Sequence, residues 1–215
     1  MKIKPLLHYS LFILGLAFAL PTAQANAACE NKRMVVLGDS LVAGYGLAPG
    51  QGFPEQLGLK LAEEGYKLEV VNAGVSGDTT SGGLSRLDWS VGDNADVVVL
   101  ELGANDALRG IPVEVTRQNL DEMISTLKAK ETKIILAGML APPNMGRQYG
   151  DAFNSIYPDL AEKHEIQLYP FFLDGVAAEP TLNLEDGIHP NPAGIGLMVE
   201  RFLPVLEEVL AEVCG

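Results

Sequence analysis

The sequence has little of what metal-binding and nucleic-acid-binding proteins need. Its 215 residues include two cysteines and three histidines, and these do not cluster at the spacing of metal ligands. Lysine and arginine number 15 against 28 acidic residues, so the net charge is −13 at pH 7. A protein that binds a polyphosphate needs a basic surface to displace its counterions. We therefore expect no bound metal, and we do not expect nucleic acid as a partner.

Three common site motifs are also missing. The chain has no Walker loop and no complete G-x-G-x-x-G, which excludes the usual phosphate-binding loops of nucleotide enzymes. The G-x-S-x-G motif is not matched either, because Val42 and Asp78 occupy the final glycine positions after Ser40 and Ser76. The chain is therefore expected to work without a cofactor.

One apolar run lies near the start of the chain, over residues 11–20, after two lysines and before the small residues at 25–28. Its length is about half of the roughly 20 residues that a membrane-spanning helix needs. The pattern is typical of a secretory signal peptide. We predict a signal peptide over 1–28 and a single domain over 29–215, periplasmic or secreted and without stable membrane insertion. That domain has 13 basic and 28 acidic residues, a net charge of −15.

Apolar runs alternate with amphipathic segments through the rest of the chain, which indicates strands that alternate with helices. The predicted strands are 33–37, 68–71, 96–102, 133–137 and 167–172. The predicted helices are 53–64, 81–89, 112–130, 149–163 and 192–212, the last bent near Pro204. Such alternation implies an α/β fold with a parallel sheet between two helix layers. We predict a flavodoxin-like three-layer α/β/α sandwich with five strands in the order 2-1-3-4-5.

The two cysteines, Cys29 and Cys214, lie at opposite ends of the predicted domain. The final helix should descend to the sheet edge where the first strand begins, so the two ends of the domain would meet. Export to an oxidising compartment then favours a disulfide, with free thiols as the alternative. A lipid on Cys29 is a third option, which Asn26 disfavours because lipoprotein signals have an aliphatic residue there.

Polar groups follow the first three predicted strands. Ser40 follows strand one in VVLGDSLVAGYG, Gly74 follows strand two in NAGVSGD, and Asn105 follows strand three in GAND. In the order 2-1-3 these strand ends are neighbours at one edge of the sheet. The backbone N–H groups of Ser40 and Gly74 and the amide of Asn105 could then converge on one oxygen, as an oxyanion hole requires.

A serine hydroxyl becomes a good nucleophile only when a base takes its proton. His164 lies in EKHE, a charged pattern that predicts a solvated surface residue. His189 lies in DGIHPN, where Asp186 could orient its imidazole. The connection over 173–188 is long enough to bring His189 back to Ser40.

Each of these features also has a structural explanation. Ser40 could cap a helix, Asn105 could cap a turn, Gly74 could serve only its backbone angles, and Asp-x-x-His is frequently structural. A flavodoxin-like module that binds an anion at Ser40 without chemistry is therefore an alternative, as is an interaction module with an exposed apolar patch. The placement of four features at one sheet edge favours catalysis over either.

The blocks GDSLVAGYG, NAGVSGDTT, LELGANDALRG and DGIHPN together resemble the SGNH or GDSL hydrolases, above all exported bacterial members that hydrolyse thioesters, lysophospholipids and aryl esters. The resemblance covers almost all of 29–215 and implies a serine esterase that forms an acyl-enzyme. It implies Ser40 as nucleophile, His189 as base and Asp186 as the orienting acid, with an oxyanion hole formed by Ser40, Gly74 and Asn105. Related families deacetylate polysaccharides with the same groups, so a polysaccharide or small-ester deacetylase is the alternative.

Apolar residues in the loops near these blocks suit an acyl chain or an aryl group, although the same residues could be ordinary core. The predicted pocket is Leu108, Ile111, Pro112, Leu140 and Ile188, with Leu41, Met139, Pro142 and Met145 as further candidates. The stretch GMLAPPNMG departs from the family pattern, and we expect it to shape the acyl pocket. Lysophospholipids, fatty-acyl esters and aryl esters are the expected substrates. We expect a monomer.

Overall fold

The five strands form one parallel sheet in the order β2-β1-β3-β4-β5, as the sequence predicts. The computed structural model describes residues 29–215, and the predicted signal peptide over 1–28 lies outside the described residues. The strands are β1 (Arg33–Gly38), β2 (Glu69–Gly74), β3 (Val97–Glu101), β4 (Lys133–Ala137) and β5 (Gln167–Tyr169). Strand β5 ends three residues earlier than predicted because Pro170 has no N–H for the ladder.

Helices cover both faces of the sheet. They are α1 (Ser40–Ala43), α2 (Phe53–Glu63), α3 (Thr80–Ser85), α4 (Leu87–Val91), α5 (Ala104–Leu108), α6 (Val113–Ala129), α7 (Arg147–Asn154), α8 (Ile156–His164) and α9 (Pro192–Cys214). Helices α2 and α9 pack together, and α6 packs against both α3 and α8. The three-layer α/β/α prediction is confirmed. Among the described residues, no helix is long and apolar enough to cross a membrane.

Two predicted helices are each divided in two. The segment predicted as 81–89 turns at Arg86, whose guanidinium leaves the helix surface to bind the carbonyls of Gly38 and Ala73 at 2.9 Å. The segment predicted as 149–163 is interrupted at Ser155, whose hydroxyl bonds the Ala152 carbonyl and competes with the helix ladder. The hydrophobic period continues across both breaks, so it could not reveal them.

The core lies on both faces of the central strands. All five residues of β3 are buried, and only the first residue of β1 is not. This burial agrees with the continuous apolar runs expected of parallel strands that are covered on both sides. Phe53, Phe172 and Phe202 make edge-to-face contacts between α2, α9 and the connection after β5.

The two ends of the described chain meet below the sheet, as predicted. A disulfide joins Cys29 to Cys214, with the Cα atoms 4.8 Å apart and both side chains buried. The free-thiol alternative is therefore not the form in this structure. The bond lies near the amino ends of the strands, at the sheet edge opposite Ser40.

Candidate active site

Ser40 lies on a tight turn from β1 into the short helix α1. The Asp39 carboxylate accepts a hydrogen bond from the Leu41 N–H at 3.0 Å and so caps that helix, while Gly44 ends it in the left-handed region at φ 75°. A Cβ on Gly38 would lie 2.3 Å from Val42 Cγ2, so the close return of the helix onto the strand requires glycine there. The turn presents the Ser40 side chain at the carboxyl edge of the sheet.

The long connection between β5 and α9 brings an imidazole to Ser40. His189 Nε2 lies 2.9 Å from Ser40 Oγ. On the other side of the ring, His189 Nδ1 lies 2.7 Å from Asp186 Oδ2. The other oxygen of Asp186 accepts the backbone N–H groups of Ile188 and His189, each at 3.0 Å. The three side chains therefore form a continuous hydrogen-bonded chain.

The electrostatics of Asp186 decide which imidazole nitrogen carries the proton. The backbone hydrogen bond from Ile188, supported by those from His189, lowers the pKa of Asp186 to about 2. Asp186 is therefore ionised around neutral pH and accepts a hydrogen bond from the Nδ1–H of His189. A neutral imidazole in that tautomer presents its Nε2 lone pair to the Ser40 hydroxyl, as a general base must.

Gly74 does not have the role that the sequence predicts for it. Its N–H donates to Asn72 Oδ1 at 2.9 Å, and the residue does not line the cavity beside Ser40. A Cβ at this position would come within 2.2 Å of the Ala43 nitrogen. Gly74 is therefore a packing residue that lets α1 lie against the end of β2, and its N–H is not free for an oxyanion.

Gly77, which the sequence analysis missed, does line the cavity. Its φ of 83° is in the left-handed region that favours glycine, and no acceptor for its N–H is present among the described residues. Arg109 Nη2 donates a hydrogen bond to the Gly77 carbonyl at 2.7 Å. The available signal was a second glycine in NAGVSGD, but only the fold distinguishes the two N–H groups.

Asn105 lies at the cavity wall as predicted. One N–H of its amide donates to Asp39 Oδ2 at 2.9 Å, and the second hydrogen of the same nitrogen remains for a ligand. The N–H of Ser40 opens α1 and has no partner within that helix. Ser40, Gly77 and Asn105 thus supply three donors at the rim of one cavity.

The cavity has a volume of about 750 Å³, which is in the usual range for small-molecule sites. Three of the five predicted pocket residues line it, namely Leu108, Leu140 and Ile188, together with Leu41, Met139 and Pro142. These six come from four separate connections of the sheet, which supports one shared apolar wall. No lysine or arginine is among its lining residues in the described chain.

Ile111, Pro112 and Met145 do not line this cavity. The Ile111 carbonyl accepts a hydrogen bond from the Tyr149 hydroxyl, and Pro112, the residue before α6, lines a separate cavity together with Met145 and Tyr149. The cavity is also lined by residues that the sequence did not indicate, on the connection after β5, namely Phe171, Leu173, Ala177 and Ala178. That connection carries His189, and it turns back over the site.

His164 is not the solvated residue that its charged neighbours suggest. Its side chain is 11% exposed and its Nε2 bonds Asp121. It ends α8, which precedes β5, and so lies at the sheet edge opposite Ser40. Within 29–215 no group of histidine, cysteine and acidic residues could hold a metal ion.

Comparison with known proteins identifies the family of this chain. Residues 36–196 match the GDSL-like lipase/acylhydrolase family model. An arylesterase from Vibrio mimicus is 42% identical over 167 residues, 77% of this chain and 84% of that protein. Thioesterase 1/protease 1/lysophospholipase L1 from Escherichia coli is 40% identical over 159 residues, 74% of this chain and 75% of that protein. The crystal structure of TesA has a TM-score of 0.79 at 40% identity, covering 83% of this chain and 99% of that one. The chain belongs to the GDSL-like lipase/acylhydrolase family.

Proposed function

We propose that this protein is a serine esterase in which Ser40 attacks the acyl carbonyl, His189 takes the Ser40 proton and Asp186 orients the imidazole. The observation that carries the proposal is the 2.9 Å contact between Ser40 Oγ and His189 Nε2, made across 149 positions of the chain. A structural serine at a helix start has no need of an imidazole that is itself oriented by a carboxylate.

The reaction proceeds in two balanced steps. Ser40 Oγ bonds the carbonyl carbon as its proton moves to His189 Nε2, and the oxyanion receives hydrogen bonds from the N–H groups of Ser40 and Gly77 and the amide of Asn105. The intermediate expels the alcohol or thiol, which takes the proton from His189. Water then attacks the acyl-enzyme, gives a proton to His189 and releases the acid as that proton returns to Ser40. Each oxyanion donor contributes about 10²- to 10³-fold in rate.

We propose neutral or zwitterionic acyl esters as substrates, including lysophospholipids, fatty-acyl esters and aryl esters. The apolar wall and the lack of basic lining residues in the described chain support this class. A net charge of −15 over 29–215 disfavours polyanionic thioesters such as acyl-CoA, because like charges reduce association. We therefore regard thioester hydrolysis as a capability of the site and ester hydrolysis as its main use.

We also propose that the enzyme is exported and works as a monomer. The apolar run over 11–20 supports a signal peptide, and the Cys29–Cys214 disulfide supports an oxidising compartment. Export would also separate the enzyme from cytoplasmic thioesters.

The test measures hydrolysis of p-nitrophenyl acetate, octanoate and palmitate and of lysophosphatidylcholine by the parent, S40A and H189A. Loss of nucleophile or base is expected to lower kcat by about 10⁴-fold or more while the unfolding midpoint stays near that of the parent. S125A and H164A are the matched controls, because Ser125 is on the surface of α6 and His164 is at the opposite sheet edge.

The chain-length series separates the alternatives. The 750 Å³ apolar cavity predicts that octanoate is hydrolysed with a higher kcat/KM than acetate. Activity on acetate alone would favour the small-ester deacetylase instead. Hydrolysis by S40A at the parent rate would show that the nucleophile is wrong.

A further inference from the structure

Two carboxyl groups lie together behind the Ser40 turn. Asp39 precedes α1 and Glu101 ends β3, and both are fully buried. Because β1 and β3 are neighbours, the Asp39 N–H can donate to Glu101 Oε2, at 3.2 Å. The ion pairs of the described residues include neither carboxylate. Ionising two adjacent buried carboxyl groups without a cation has a high free-energy cost, so one of them holds a proton.

The hydrogen bonds show which of the two holds the charge. Asp39 accepts from the Leu41 N–H at 3.0 Å with one oxygen and from the Asn105 amide at 2.9 Å with the other. Glu101 Oε1 is buried with no hydrogen-bond partner, the one such side-chain atom in the described chain. An ionised carboxylate is stabilised where two donors meet it and destabilised where an oxygen has none. The charge therefore belongs to Asp39 and the proton to Glu101.

The pKa directions agree with this assignment. Burial, followed by the charge of Asp39, raises the pKa of Glu101 well above that of a free glutamic acid. Burial also raises the pKa of Asp39, but the hydrogen bonds from Leu41 and Asn105 oppose that rise. Glu101 is thus the weaker acid of the two.

We propose that Glu101 and Asp39 form a buried acid–carboxylate pair that positions the amide of Asn105 and the start of helix α1 for catalysis. Both are positioning residues, because they act through Asn105 and Ser40. The inference rests on the proposed function, since the direction of the Asn105 amide matters only if an oxyanion forms beside it.

The pair decides which end of the Asn105 side chain faces the substrate. An amide has a donor end and an acceptor end of nearly the same shape. Because the ionised Asp39 only accepts, it binds the NH₂ end and leaves the second N–H of that nitrogen for the oxyanion. An amide rotated by half a turn would present its oxygen to the oxyanion and repel it. The protonated Glu101 keeps Asp39 in place without adding a second charge.

The surroundings of Glu101 predict how kcat changes at alkaline pH. Four titratable or charged side chains lie near the pair. Tyr157 from α8 donates its hydroxyl to the Leu102 carbonyl. Asp78 and His189 interact electrostatically with Asp39, and Arg86 binds both Asp78 and the Gly38 carbonyl. Among the described residues, no hydrogen bond or ion pair joins the Arg86 guanidinium to Glu101. Its ionisation at alkaline pH would place a second uncompensated charge beside Asp39, so kcat is expected to fall there.

The test compares D39N, E101Q and E101A with the parent on p-nitrophenyl octanoate. An asparagine at position 39 offers one acceptor oxygen to two donors, the Leu41 N–H and the Asn105 amide. We expect D39N to lower kcat by about 10- to 10³-fold with KM within about 3-fold, because the hydrogen bond from Asn105 to the oxyanion, which D39N would misalign, is made only in the transition state. E101Q is neutral and of the same shape, so kcat within about 3-fold of the parent is expected, with a larger loss in E101A. E63Q, on the exposed surface of α2, is the matched control.

Two further readouts separate positioning from a merely structural role. At about pH 8 ordinary carboxyl groups are ionised, so the infrared difference between parent and E101Q should contain the carbonyl band of one protonated acid. The fall in kcat at alkaline pH should be smaller in E101Q than in the parent. Both measurements remain decisive if D39N does not fold.

Three results would contradict the proposal that Glu101 and Asp39 form an acid–carboxylate pair. They are a parent-like kcat in D39N, a loss in E101Q as large as in D39N, and an infrared difference without the acid band. The failure of the proposed function looks different, because S40A would then retain activity or the parent would have none. An inactive S40A beside a fully active D39N would reject only the pair.

Discussion

Removal of the Cys29–Cys214 disulfide is expected to cost much stability and little activity. The bond closes a loop with a sequence separation of 185 residues. On the chain-entropy model, a loop of that length restricts the unfolded state by about 5 kcal/mol at 25 °C. Both cysteines are buried, so the C29A/C214A variant is preferred to serine, which would leave buried hydroxyls without partners.

That free energy corresponds to measurable shifts in unfolding. For a domain of this size, about 5 kcal/mol lowers Tm by roughly 10–20 °C. With a urea m-value of about 2 kcal/mol/M, the midpoint should fall by about 2.5 M. Reduction of the parent should reproduce most of the shift, which separates loop closure from the effect of the two substitutions.

Activity is expected to survive because the disulfide and Ser40 lie at opposite ends of β1. The six residues of that strand alone separate the two by roughly 20 Å. The assay therefore pairs urea unfolding with ester hydrolysis at 25 °C. An unchanged urea midpoint in C29A/C214A would refute the loop-closure reasoning. A folded variant with kcat reduced as far as in S40A would refute the separation of the disulfide from the site.

Two other substitutions test the site. Asp186 has a pKa lowered to about 2, below that of a free aspartic acid, so its hydrogen bonds stabilise the fold above about pH 4 and are lost as the pH falls toward 2. D186N is expected to lower kcat about 10²- to 10⁴-fold, because it no longer selects the His189 tautomer. It should also lose less stability than the parent between about pH 4 and pH 2. An unchanged kcat in ester hydrolysis or an unchanged acid unfolding profile would contradict this. In G74A, a Cβ within 2.2 Å of the Ala43 nitrogen should destabilise the fold by about 1–3 kcal/mol in urea, and a parent-like midpoint would show that α1 can move away.

Much of the fold could be predicted because its signals are local. The run DVVVLEL is apolar and β-branched over a strand length, and β3 is indeed buried on both faces. The link between Asp186 and His189 is also local, since three residues of one turn bring the carboxylate to the ring. Parallel strands connected by helices then leave few possible orders, and 2-1-3-4-5 is the one observed.

Other parts of the site could not be predicted because they depend on contacts between distant segments. The sequence offers Gly74 and Gly77 on equal terms after β2. The Asn72 side chain accepts the Gly74 N–H, and α1 packs against Gly74, whereas Gly77 lines the cavity. Ile111 and Pro112 lie near Leu108 in the chain, but the turn after α5 directs them away from the cavity.

The sequence by itself determined the strand order and brought Ser40 and Asn105 to one edge of the sheet, because hydrophobic periodicity and the handedness of crossovers are properties of the local chain. The tertiary structure alone decided which donors stay free, which apolar side chains line the cavity, and where a proton resides behind the serine turn. In the sequence, Glu101 is one charged residue in an apolar strand. It is neutral because the fold buries it beside Asp39, which follows the neighbouring strand β1.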